Sequence, residues 1–173
     1  MSSTNDYWST IGTAVVVYVE AAINHDDRST ALNALIALHQ RYGTQSVLDF
    51  AAVLLLITAH NCPTDRYRTA DGRPDAEALT QDRPVDALRI LDAAALASRF
   101  HGRPVTAEDI SAAERQASAV ETARPIIRAA LDAAPRLTDV AAALRPAADS
   151  LPVVTAVVSL ATVALRNATI QGK

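Results

Sequence analysis

Six side chains within the first 65 residues have the chemistry to hold a metal ion. His25, Asp26, Asp27, His60, Cys62 and Asp65 supply imidazole, carboxylate and thiol groups, the donors that zinc and related metals prefer. They form two clusters, 25–27 and 60–65. Neither cluster has a metal spacing of its own, since His60-x-Cys62 is not a zinc-knuckle pair. A site would require the two clusters to meet in space. The plainer assignment has Asp26 and Asp27 capping a helix while His60 and Cys62 end another.

Other chemistries are excluded more directly. A di-iron bundle uses Glu-x-x-His on two helices, and none of His25, His39, His60 or His101 has an acid three residues before it. Asp26-Asp27 lacks the third aspartate of the metal motif of terpenoid synthases. No Gly-x-Ser-x-Gly occurs, and five scattered glycines cannot build a phosphate-cradling loop. Arg66, Arg68 and Arg73 with Tyr67 could touch a phosphate, but Asp65, Asp71, Asp75 and Glu77 are interleaved and cancel that charge. His39 and His101 lie where helices are expected to end and suit the negative end of the dipole. Asp49 sits one turn into a very apolar segment, so it either faces the open helix end, pairs with Arg41 or makes a buried polar contact.

The elements that must position these groups are helices. Alanine, the best helix former, fills 36 of 173 positions, and there are only five glycines. Trp8, Ile11, Val15, Tyr18 and Ala22 recur at helical spacing in a first helix ending near residue 24. The run Val15-Val16-Val17-Tyr18-Val19 suits a strand, but no partner strand is evident, so helix is retained. A second helix over 29–42 places Leu32, Leu35, Ile36, His39 and Tyr42 on one face. Gly43 stops it, and Thr44 can cap a third helix over 45–60 that is apolar nearly all round.

Short connections favour an up-down-up unit of helices one to three. That topology puts His25, Asp26 and Asp27 at the same end as His60, Cys62 and Asp65. Residues 61–82, with Pro63, Gly72, Pro74 and many charges, read as one long polar loop. Helices follow over 84–101 and from Thr106 to about 123, with Pro125 either ending the latter or merely kinking it. Pro125, Pro135, Pro146 and Pro152 punctuate the remainder before a final helix over 151–167. The expected architecture is a single all-α domain, a bundle of about six or seven helices.

Three segments, 11–23, 47–59 and 151–165, are strongly apolar. At about 13 to 15 residues they fall short of the roughly 20 a membrane span needs, which argues against integral insertion. The net charge of −3 gives no field that favours nucleic acid. Fifteen arginines against one lysine fit a high-GC coding bias and a bacterial source. One cysteine excludes an internal disulfide, and no basic residue precedes the first apolar stretch as a secretory signal would require. A cytoplasmic protein without a cofactor is expected. The first functional expectation is a non-enzymatic helical interaction or assembly protein that self-associates or binds a protein partner through apolar faces. Two alternatives are a small-molecule or metal-binding protein, or unusual enzyme, with its site at the 25–27/60–65 end, and a peripheral membrane protein. An apolar small molecule held between helices belongs to the first of these.

Overall fold

The computed structural model describes residues 3–63, 66–80 and 107–169. Among these are seven α-helices and no strand. We number them α1 (Ser3–Val19), α2 (Arg28–Tyr42), α3 (Thr44–Asn61), α4 (Ala76–Thr80), α5 (Ala107–Asp132), α6 (Leu137–Leu144) and α7 (Leu151–Thr169). The all-α bundle expected from composition is what the chain forms. The helix expected over 84–101, including His101, lies outside the described residues.

The β-branched run of α1 is helical because its spacing, not its propensity, meets the core. Ile11, Val15, Tyr18 and Ala22 are buried on one side, which leaves Val16 outside at 69% exposure. Tyr18 packs edge-on against Phe50 of α3, with ring centroids 5.1 Å apart. The helix then widens into a π-helical turn, Glu20–Asn24. Asp26 closes the connection at φ 51°, a left-handed conformation that a short polar side chain tolerates.

Helix α2 starts at a side-chain cap, with the Thr30 backbone N–H donating to Asp27 Oδ1 at 3.1 Å. It stops at Gly43, whose φ of 80° is natural only for glycine. The Gly43 N–H donates back to the His39 carbonyl at 2.8 Å. Thr44 does not cap α3 as expected; it is the first helical residue, Gly43 is the cap, and no side chain bonds there. Ser46 Oγ instead donates to the Gly43 carbonyl at 2.6 Å. One residue between two contacting helices turns α3 back along α2, giving the up-down-up unit.

The buried stripe of α2 differs from the expected face. Ala31, Leu35 and Leu38 point inward, whereas Ile36 and His39 are exposed and Leu32 only half-buried. The apolar arc of α2 is wider than its neighbours cover.

Two helices form the centre. Helix α3 contacts α1, α2, α5, α6 and α7, as its all-round apolar sequence requires. Helix α7 is equally central: residues 156–165 are buried without a break, against α3 on one side and α5 on the other. At 19 residues α7 is long and apolar enough to cross a membrane, but 72% of its most apolar window is buried inside the fold. The length argument from sequence therefore fails for this segment, and its burial is what argues against insertion.

Proline placement follows the backbone donors it removes. Pro125 lies inside α5 without ending it, on the exposed side where water can serve the carbonyl left unbonded. Pro152 occupies the first turn of α7 and Pro146 the short 3₁₀ turn Arg145–Ala147, where no helical N–H is needed. The expected polar loop is more ordered than its composition implies. Arg68 and Pro74 form an antiparallel bridge closed through Gly72 at φ 81°, and α4 follows at once. Leu79 of α4 is fully buried against the bundle, so this excursion is anchored by apolar contact.

Candidate functional site

The 25–27 group is occupied with its own connection. Asp27 accepts from both the backbone N–H and the hydroxyl of Thr30, which holds its carboxyl below the usual range. His25 Nε2 lies 2.9 Å from Glu20 Oε1 across the π turn, and Asn24 donates to the other carboxylate oxygen at 2.7 Å. Those two bonds, Asn24's first, lower the Glu20 pKa. Asp26 is 3.6 Å from the Arg28 guanidinium.

The 60–65 group is divided. His60 is exposed on the last turn of α3. Cys62 is buried, its Sγ donating to the Tyr67 carbonyl at 3.0 Å, and burial pushes its thiol pKa up rather than toward a reactive thiolate. Asp65 lies outside the described residues. Among the described residues no three His, Cys, Asp or Glu side chains come close enough to hold a metal ion. At the end of α3, as in the 25–27 connection, the described side chains do not gather at a common centre.

Arg68 organises that end instead. Its Nε donates to the Cys62 carbonyl at 3.3 Å, its Nη1 to Gly72 at 2.8 Å, and its Nη2 to Ala59 at 3.3 Å and Cys62 at 3.2 Å. A guanidinium thus satisfies the open carbonyls of α3 and favours the negative end of its dipole. By sequence Arg68 belongs with the interleaved charges of the polar loop, and the chain reversal at Gly72 brings it back to α3.

Asp49 is a buried polar contact within the chain, only 8% exposed. Tyr7 Oη donates to Oδ2 at 2.5 Å and Gln45 Nε2 to Oδ1 at 3.0 Å. Arg41, the partner considered from sequence, lies over the Tyr42 ring at 5.0 Å from its centroid. Desolvation first, and then the Asp49 hydrogen bond, raise the Tyr7 pKa far above its ordinary value. Tyr7 was not identifiable from sequence as the partner, because the pair is 42 residues apart.

An apolar cleft lies elsewhere. Helices α2 and α7 both pack on α3 but make little contact with each other. A cleft of about 310 Å³ remains between them, floored by Leu35, Val47, Val154 and Val158. Ile36 at 43% and Leu151 at 60% exposure stand at its lips. His39, Gln40 and Thr155 are the polar residues of the lining, and among the described residues no carboxylate, guanidinium or ammonium lines it.

Compared with protein-family models, with curated proteins and with solved structures, the chain matches none. Its function is therefore argued from its own surfaces.

Proposed function

We propose that this is a non-enzymatic helical interaction protein that assembles with a second copy of itself across the α2–α7 cleft. One observation carries the reading: Ile36 and Leu151 are exposed on either lip of an apolar cleft whose described lining includes no Asp, Glu, Lys or Arg. Large apolar side chains so placed are unfavourable in water, and covering the part of each that remains exposed gains about 1–1.5 kcal/mol. A two-fold arrangement buries both lips of both copies at once, and such isologous dimers are the commonest oligomers.

Carboxylate chemistry is not favoured at the sequence-predicted end, where Asp27 caps α2 and Glu20 is held by Asn24 and His25. Exposed Val16 and Val17 on α1 give the membrane alternative an apolar face, yet α1 carries no Lys or Arg to attract anionic lipid.

Sedimentation velocity over a wide concentration range tests the assembly. A mass that rises toward twice the monomer, and falls back in Leu151→Asp and Ile36→Asp, is expected. A monomer at every concentration overturns the reading. So does a dimer that both substitutions leave intact.

A further inference from the structure

A second cavity, of about 640 Å³, lies at the opposite kind of place, where the end of α3 meets the 68–74 turn and the segment after α5. It shares no residue with the α2–α7 cleft. Its size is within the range of small-molecule sites. Leu56, Ile57, Pro74, Ala134 and Pro135 supply an apolar wall.

The polar part of the lining is one-sided in charge. It comprises Arg68, Arg73, His60 and Asn61, and none of the described lining residues is acidic. Arg73 is already committed, with Nε and Nη2 both 2.7 Å from Asp71 Oδ2. Arg68 is not: it has no carboxylate partner among the described residues, and all its bonds go to neutral backbone carbonyls. A guanidinium has five N–H groups, and those four donations leave one Nη1 N–H unused. His60, beside it in the lining, makes no hydrogen bond or ion pair with any described residue.

Among the described residues, a guanidinium without a direct carboxylate partner and an imidazole without a hydrogen bond line one groove with an apolar wall, and that combination matches one ligand class. We propose that this groove binds a small monocarboxylic acid, its carboxylate between Arg68 and His60 and its apolar body along Leu56, Ile57 and Pro135. The bonds Arg68 makes to α3 and to Gly72 hold the guanidinium in place before a ligand arrives, so little side-chain ordering is needed on binding. An alkyl acid and an aryl acid offer the same head and differ in the body.

Isothermal titration calorimetry of the full chain with octanoate and with 3-phenylpropionate tests this. Saturable binding of at least one of them, one per chain, is expected, and the tighter acid identifies the body as alkyl or aryl. His60→Glu, at an exposed position without contacts to lose, should weaken binding about tenfold or more, the scale of one charge-assisted hydrogen bond. His60→Lys should retain it. Arg68→Gln should abolish it, and if circular dichroism shows that variant unfolded, the two His60 variants decide. The proposal is overturned if neither acid binds, if 1-octanol or octylamine binds as tightly as octanoate, or if His60→Glu leaves the affinity unchanged. Because the cleft and the groove share no residue, failure here leaves the assembly reading standing, and failure of assembly leaves this one.

Discussion

The Tyr18 hydroxyl donates to Thr162 Oγ1 at 2.7 Å, joining α1 to α7 across 144 residues of sequence. The direction follows from proton count, because the single Thr162 hydroxyl proton already goes to the Val158 carbonyl at 2.8 Å. Tyr18 is almost wholly enclosed, and that burial raises its pKa to about 12, partly offset by the positive charge of Arg166.

This raised pKa sets an alkaline limit on stability. The unfolded chain ionises Tyr18 near the ordinary value of 10.0, whereas the folded chain must keep it neutral to about pH 12. Its contribution is complete below pH 10 and is lost as pH rises through the folded value. The loss is about 3 kcal/mol for a shift of this size. Urea unfolding of the wild type from neutral to strongly alkaline pH should show that decline, and Tyr18→Phe should make it about half as steep. A residual slope from Tyr7, whose pKa is also raised, should remain in the variant.

Asp49 gives a second prediction. Tyr7→Phe leaves a largely buried carboxylate oxygen without its donor, which costs about 1–3 kcal/mol. Asp49→Asn keeps an oxygen for Tyr7 and should cost less. Equilibrium denaturation of the two variants side by side measures the difference, and an equal loss would contradict the bond as the reason for burying Asp49.

At Gly43 the demand is for backbone conformation, not for space. A Cβ built there meets nothing within 4 Å, yet φ is 80°. Gly43→Ala should therefore destabilise by about 1–3 kcal/mol through the backbone alone, because φ 80° with ψ −172° is a region essentially restricted to glycine. Gly43→Asn should cost as much, because at ψ −172° the backbone lies outside the left-handed helical region that asparagine tolerates. Thermal melts of the three proteins should place both variants below the glycine protein by a similar margin.

The cleft and the α1 ridge can be separated by one control. Val16 is more exposed than Ile36 or Leu151 but lies on α1, outside the cleft lining. Val16→Asp should leave the sedimentation behaviour of the wild type unchanged, while Leu151→Asp should shift it toward the monomer. A shift caused by Val16→Asp would move the interface to α1.

Helix identity was legible wherever periodicity or a stop residue spoke directly. Ile11, Val15, Tyr18 and Ala22 marked the inner face of α1 despite its valines, and Gly43 marked the break between α2 and α3. The α2 face was misjudged by part of a turn, because periodicity locates an apolar arc but not which part of it a neighbour covers. Ile36 belongs to the uncovered part. Pairings across long separations, Tyr7 with Asp49 and Arg68 with the end of α3, were not legible, since they depend on which helix ends meet. Among the described residues the candidate metal ligands do not gather, for a local reason. Asp27, His25 and Cys62 each satisfy a nearby backbone or side-chain group, and that leaves no common centre.

The central position of α7 has a consequence for how the molecule is made. Translation delivers α3 and α5 before the helix that packs against both of them. Until the ribosome has released residues 156–165, the inner faces of those two helices have no permanent neighbour. They must remain wet, meet each other wrongly or be shielded by a chaperone. Completion of the core is therefore a late event in the life of the nascent chain, whatever the order in which its individual helices coil.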